Sequence, residues 1–249
     1  MSLLNSDSGH STSPRILISV RDVQEAIAAA EGGAEIIDIK EPTKGSLGAA
    51  TPTVWAEIAA RIGGSHPWSI AMGELGHCSQ QPKSLGLTPA FAKIGLAHQA
   101  ESEHWRHVWA DWRNKLPAST APVAVAYADQ NAARCPAVEE IVVAGASIGC
   151  RVLLIDTFYK NNGGLLDYAG VDKLAAWCCL ARQHAMRIAL AGSLSITDIP
   201  AMLSLRPDWL AVRGAVCIGN RNSSVSCDRV RDFVDAVRLM NRNVVESTE

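Results

Sequence analysis

Short runs of branched apolar residues recur along this chain, apolar on both faces, and alternate with longer segments of helical periodicity. A strand with one wet face alternates polar and apolar residues, whereas a parallel strand covered by helices on both sides does not. The runs fall at residues 16–20, 36–40, 68–73, 91–97, 122–128, 151–157, 187–191 and 209–213. Helical patterning occupies 22–33, 52–62, 101–116, 137–146, 171–184, 195–205 and 228–241. Such alternation is the mark of parallel βα units. Counted as eight strands and eight helices, the helix after the third run being assumed where the sequence reads as a polar loop, it predicts an α/β chain folded as a single-domain (β/α)8 TIM barrel over residues 15–243. A doubly wound open sheet is the alternative. Trp105, Trp109 and Trp112 share one helical face and read as core packing. His104 and His107 on the same helix lack a third ligand for a metal.

The chain has 249 residues, 48% of them hydrophobic, close to the ~250 that a single barrel uses. A net charge of −2 provides no basic field for nucleic acid. No apolar run approaches the ~20 residues of a membrane span. Seven cysteines, odd in number, lie in apolar runs without C-x-x-C spacing, which points to reduced thiols in a cytoplasmic protein. Residues 1–14 are rich in Ser and Thr and lack the basic start and apolar stretch of a signal peptide. They read as a flexible arm, and residues 244–249 as a frayed C-terminus.

In such barrels the chemistry sits at the C-terminal ends of the strands. The second run, Ile36-Ile37-Asp38-Ile39-Lys40, ends with a carboxylate and an amine two positions apart, hence on one face. The fourth holds Lys93, and the sixth ends in Asp156 with Lys160 four residues on. Any single D-x-K reads as a structural ion pair, but three lysines and two aspartates converging on one mouth read as a site. Crowded ammonium groups lower one another's proton affinity, from a lysine pKa of ~10.4 toward ~7–8. An amine so tuned forms a Schiff base with a carbonyl.

Gly192-Ser193 and Arg213-Gly214 end the seventh and eighth runs, the usual phosphate position of these barrels. Lys44 and Ser46, in Lys44-Gly45-Ser46-Leu47-Gly48, form a second candidate anion turn without the spacing of a nucleotide P-loop. Asn220-Arg221-Asn222 reads equally as a further cation near the phosphate and as a solvated loop. Cys217 has no histidine near it in sequence and reads as packed. Neither metal nor dinucleotide motifs occur.

These strand-end motifs together resemble the (5-formylfuran-3-yl)methyl phosphate synthase family, also called 4-(hydroxymethyl)-2-furancarboxaldehyde-phosphate synthase, of methanofuran biosynthesis. The residues that carry the likeness are Ile37-Asp38-Ile39-Lys40-Glu41-Pro42, Lys44-Gly45-Ser46-Leu47-Gly48-Ala49, Lys93-Ile94-Gly95-Leu96, Asp156-Thr157 with Lys160, Leu190-Ala191-Gly192-Ser193-Leu194 and Val212-Arg213-Gly214-Ala215-Val216-Cys217. The resemblance implies a lyase that condenses two molecules of glyceraldehyde 3-phosphate without metal or organic cofactor. It puts the Schiff-base lysine at Lys40 and acid–base residues at Asp38, Lys93, Asp156 and Lys160. One triose phosphate would isomerise, form an imine at Lys40 and attack the aldehyde of the second, with loss of water and one phosphate on ring closure. It also implies a role beside one-carbon metabolism and a small-molecule triose phosphate as the only partner, while the apolar outer helices are compatible with a homo-oligomer. The Ser-rich arm and the Trp-rich stretch 101–112 depart from compact archaeal members. A class I aldolase or phosphosugar isomerase on the same barrel, and a catalytically silent barrel serving as a partner subunit, stay open beside this reading.

Overall fold

The computed structural model describes residues 13–78 and 81–246. Strands β1 Arg15–Val20, β2 Ile36–Ile39, β3 Trp68–Glu74, β4 Phe91–Gly95, β5 Ala121–Tyr127, β6 Val152–Asp156, β7 Arg187–Leu190 and β8 Trp209–Val212 pair in chain order into a closed parallel barrel. The doubly wound alternative is thereby excluded: β1 pairs with β8, so the sheet has no edge. Every strand residue except the first of β1, β5 and β7 and the last two of β3 is buried, as expected when both faces are covered.

The helices are α1 Val23–Glu31, α2 Pro52–Ile62, α3 Trp105–Asn114, α4 Gln130–Ala133, α5 Val138–Ser147, α6 Leu165–Tyr168, α7 Val171–Gln183, α8 Ile199–Ser204 and α9 Cys227–Glu246. Their starts follow local chemistry. The Asp22 side chain accepts from Glu25 N at the head of α1, and Thr51 caps α2 with Pro52 at its first position. Trp105, Trp109 and Trp112 are buried along α3 as their spacing predicts.

Four expectations need correction. No α-helix joins β3 to β4 among the described residues; a 3₁₀ turn, Pro82–Leu85, takes its place, because Pro82, Gly86 and Pro89 punctuate too short a segment. The 195–205 segment divides into a 3₁₀ turn, Ile196–Asp198, and α8, with Pro200 unable to donate at the junction. Residues 244–246 continue α9 rather than fray, while 247–249 and residues 1–12 of the expected arm lie outside the described residues. Finally, β3 extends one residue past Gly73, to Glu74, across a break in its register with β4.

The lower half of the barrel is filled by apolar side chains, with Phe91 packed edge-on against Trp209 at 5.9 Å. Between them and Lys93 lies a void of about 30 Å³, one water's worth. Polar residues begin above it. Asp38, Lys93 and Asp156 stand on β2, β4 and β6, the alternate strands that supply one layer of a barrel interior.

Candidate active site

The site starts from strand registry. Ser19 pairs with Asp38 and Asp38 with Ser69, so the three side chains lie in a row on one face. Ser19 Oγ donates to Asp38 Oδ2 at 2.9 Å and Ser69 Oγ to Oδ1 at 2.6 Å. Lys93 Nζ reaches the same Oδ1 at 2.9 Å. Burial pushes the Asp38 carboxyl up, but Lys93, then Lys40 and the Ser69 hydroxyl, outweigh it and hold the group below the usual carboxylate range. Asp38 and Lys93 are therefore a closed, ionised pair.

A second closed pair stands across the mouth. Lys160 bonds Asp156, four residues behind it, and lies within 3.3 Å of Thr157 Oγ1. Thr157 N donates to Asp156 Oδ1 at 2.8 Å, and Ser46 Oγ lies 2.9 Å from Oδ2. Burial again opposes ionisation of Asp156, and Lys160 and Lys40 again outweigh it. Asp129 holds the loop that carries Lys160, accepting from Phe158 N at 2.7 Å and Tyr159 N at 2.9 Å.

Lys40 is the odd amine. It projects beside Asp38 from the end of β2 and is only 8% exposed. Among the described residues its Nζ makes no hydrogen bond or ion pair, although it feels both carboxylates and both other lysines. Burial lowers its pKa from 10.5 to about 7; Asp156 and Asp38 resist the shift, and Lys160 and Lys93 add to it. Two carboxylates already balanced by two ammonium groups leave the third lysine free to be neutral. A neutral, unpaired amine in a low-dielectric mouth is a nucleophile ready for a carbonyl carbon.

The residues expected to hold phosphate separate into two sets. Gly192 and Ser193 stand at φ +106° and +54°, turning the chain sharply after β7. Neither they nor Gly214 give their N–H to another group among the described residues. These three fit an anion at the mouth. Arg213 does not. Its guanidinium is buried and all five N–H bonds are engaged: Nε with Arg221 O, Nη1 with Ser19 O and Glu25 Oε2, Nη2 with Glu25 Oε1 and Ser223 O. Ser46 spends its single hydroxyl hydrogen on Asp156 or Thr157 O. Lys44 is exposed and folds back on Ala49 O at 3.3 Å. Arg213 and Ser46 are thus engaged in holding neighbouring groups, and Lys44 stands on the exposed turn.

What Arg213 positions is informative. With Glu25 and with Arg21, whose Nη1 donates to Asn222 O at 2.6 Å, it grips successive carbonyls of the loop after β8. That grip holds Arg221 with its side chain over Gly214 and within electrostatic reach of Asp156 and Lys160. The Arg221 guanidinium has no hydrogen bond among the described residues. Sequence reasoning left Arg221 undecided and passed over Ser19, Ser69 and Glu25. The serines did carry a signal, each being a lone hydroxyl inside an apolar strand. Glu25 carried none, because a helix-borne glutamate reads as a solvated face.

Comparison with known proteins gives the family and the fold. The sequence profile of the 4-HFC-P synthase family matches residues 16–234. Relatives named (5-formylfuran-3-yl)methyl phosphate synthase include one from Methanococcus maripaludis, 33% identical, with 90% of this chain and 99% of the relative covered. Another, from Archaeoglobus fulgidus, is 31% identical over the same shares. Solved structures share the fold: a thiamine phosphate pyrophosphorylase from Pyrococcus furiosus (TM-score 0.59, 12% identity, 93% of this chain and 98% of that one) and a phosphoribosyl anthranilate isomerase from Thermus thermophilus (TM-score 0.58, 17% identity, 91% and 99%).

Proposed function

The chain belongs to the 4-HFC-P synthase family of enzymes, and we propose that it joins two molecules of glyceraldehyde 3-phosphate into (5-formylfuran-3-yl)methyl phosphate through an imine at Lys40, as a step toward a methanofuran-type carrier. The single observation that carries this is the unpaired Lys40 amine, neutralised to about 7 between two closed ion pairs.

The carbon skeleton of a furan substituted in this way sets the direction of bond formation. One triose supplies the carbon bearing the phosphomethyl group, its neighbour in the ring and the phosphomethyl carbon itself. The other supplies the formyl carbon and the two ring carbons next to it. The bond therefore joins the central carbon of the first to the terminal carbon of the second, the carbon that carried the lost phosphate. This reverses the attack expected from the resemblance, because the aldehyde of the second triose is retained.

In the resulting sequence, one triose isomerises to the ketone and its central carbon condenses with Lys40, releasing water. The second loses phosphate as its C2–H proton is taken, and the enol so formed attacks the imine carbon. Loss of a proton from the new methylene expels the Lys40 amine and leaves a C=C bond. The terminal hydroxyl of the first triose then closes on the ketone of the second, and the hemiketal hydroxyl leaves as water. Two trioses thus give one furan phosphate, one phosphate and two waters. Asp38 and Asp156, ionised, accept protons; Lys93 and Lys160 return them and shield the carboxylates. Arg221 and the free N–H groups of Gly192, Ser193 and Gly214 hold phosphate.

The test is to incubate the purified protein with glyceraldehyde 3-phosphate and follow furan aldehyde absorbance, with product mass as identification and Lys40→Ala as control. Furan from the native protein alone is expected. Furan from both would remove Lys40 as the imine former, and none from the folded native protein would refute the reaction.

A further inference from the structure

The break in register between β3 and β4 does something specific. Ala71 pairs with Lys93 and Glu74 with Gly95, three residues along β3 against two along β4. One extra residue, with Gly73 at φ +82°, makes a bulge. Without it Glu74 would alternate to the helix side with Met72. With it Glu74 comes into register with Gly95, which shares the inward face of Lys93. Gly95 leaves the space that the carboxylate needs, since any Cβ there would collide with it. Tyr127 OH donates to Glu74 Oε1 at 2.7 Å and Ala97 N to Oε2 at 2.9 Å. Tyr127 itself pairs with Asp156, so its ring faces the same mouth. A bulge, a cleared glycine and two aimed donors set a third carboxyl at the mouth, on the β3–β5 side away from Gly192 and Gly214.

We propose that Glu74 is a further catalytic acid of this enzyme, held by Tyr127 as positioning residue, and that it protonates the hemiketal hydroxyl that leaves when the furan ring forms. This rests on the furan-forming reading above. The step balances. The Glu74 proton passes to the hydroxyl oxygen and the C–O pair leaves with water. The methylene on the other side of the ring oxygen gives its proton to an ionised carboxylate, its C–H pair becomes one ring double bond, and the existing double bond shifts to become the other. Solvent reprotonates Glu74, which is half-buried at the open end.

The other carboxyls at the mouth cannot serve in this way. Asp38 and Asp156 are held ionised by their lysines. Among the described residues Glu74 has no ammonium partner, and burial raises its pKa against the opposing pull of Tyr127, Ala97 N and His98, with Asp156 adding to the rise. Those side chains, together with Cys135, are the titratable groups that face it. A carboxyl whose hold on its proton is strengthened is what a departing hydroxyl requires.

The experiment compares native protein, Glu74→Gln, Glu74→Asp and Tyr127→Phe with glyceraldehyde 3-phosphate, following furan absorbance, product mass and borohydride trapping of the Lys40 imine. Glu74→Gln keeps the shape and loses the proton. It is expected to slow furan formation about 100-fold, to leave imine trapping at the native level, and to accumulate an adduct one water heavier than the furan phosphate. Glu74→Asp recovers part of the rate. Tyr127→Phe moves the alkaline limb of the pH–rate profile to higher pH, because a carboxylate that loses a donor holds its proton longer. A merely structural tyrosine would lower the rate equally at every pH. Furan from Glu74→Gln at the native rate, or joint loss of furan and imine trapping, overturns the assignment while native furan formation keeps the parent reading standing. A native protein that makes no furan overturns both.

Discussion

Replacing Lys40 by methionine should make the protein more stable while abolishing imine formation. A buried lysine titrating at about 7 instead of 10.5 reports a folded state that disfavours the ammonium by about 5 kcal/mol relative to the unfolded chain, at 1.36 kcal/mol per unit. The sign follows from proton counts. Between pH 7 and 10.5 the unfolded chain holds a proton on this residue that the folded chain has released, so native stability rises with pH across that window. Below pH 7 the full cost is present. Methionine keeps the apolar stem and removes the charge, and Asp38–Lys93 and Asp156–Lys160 remain balanced without it. Stabilisation of about 1–4 kcal/mol is expected at pH 7, or on the order of 5 °C in Tm for a chain of this size. Thermal unfolding followed by circular dichroism at pH 6, 7 and 9 would measure it, and the gap between variant and native should narrow at pH 9. A lower Tm for Lys40→Met at pH 7 would refute the reasoning, because it would make the Lys40 ammonium a necessary partner of the two carboxylates.

Lys160→Met removes one of the cations that depress Lys40 and leaves Asp156 to be balanced by it. The acid limb of imine trapping, expected near pH 7 in the native protein, should move up by about one unit, and an unmoved limb would show that burial alone sets the amine. Arg213→Met leaves buried Glu25 with Arg21 alone and frees two loop carbonyls and that of Ser19. Denaturant unfolding should show a loss of about 3 kcal/mol, and kinetics a raised KM for triose phosphate with Lys40 still trappable. Gly192→Ala imposes a left-handed side chain at φ +106° with its Cβ 3.1 Å from Leu165 and Thr157, so a destabilisation of about 1–3 kcal/mol is expected by the same unfolding assay.

The barrel was legible because parallel strands buried on both faces leave a simple trace, and 52–62 matches α2 to the residue. The missing β3–β4 helix was not, since counting units assumes that each strand is followed by a helix. The five charged residues of the mouth were readable from strand position and the period of two. Which lysine stays unpaired was not readable, because it depends on Lys93 reaching across from β4 to Asp38 and Lys160 turning back on Asp156. The engagement of Arg213 was not readable for a related reason. Its position at a strand end was right, but its five donors are satisfied by partners up to 194 positions away in sequence. Glu74 was hidden by a single inserted residue, which reverses the facing that alternation assigns.

The distribution of charge around the mouth suggests why one amine can be neutral while its neighbours stay charged. Strands β2, β4 and β6 bring three ammonium groups and two carboxylates into one low-dielectric layer. In such a layer an uncompensated charge is far costlier than a paired one. The layer reaches neutrality most cheaply by releasing one proton, and it comes from Lys40, the lysine without a carboxylate in contact. Strands β7 and β8 end in turned backbone and in the balanced Arg213–Glu25 pair, which add no net charge to this layer. An approaching carbonyl brings no charge either. The apolar strands that make the barrel fold therefore also select its nucleophile, and a polar substitution beneath the layer, such as Leu17→Asn beside the void under Lys93, should raise the Lys40 pKa by admitting water without touching any charged residue.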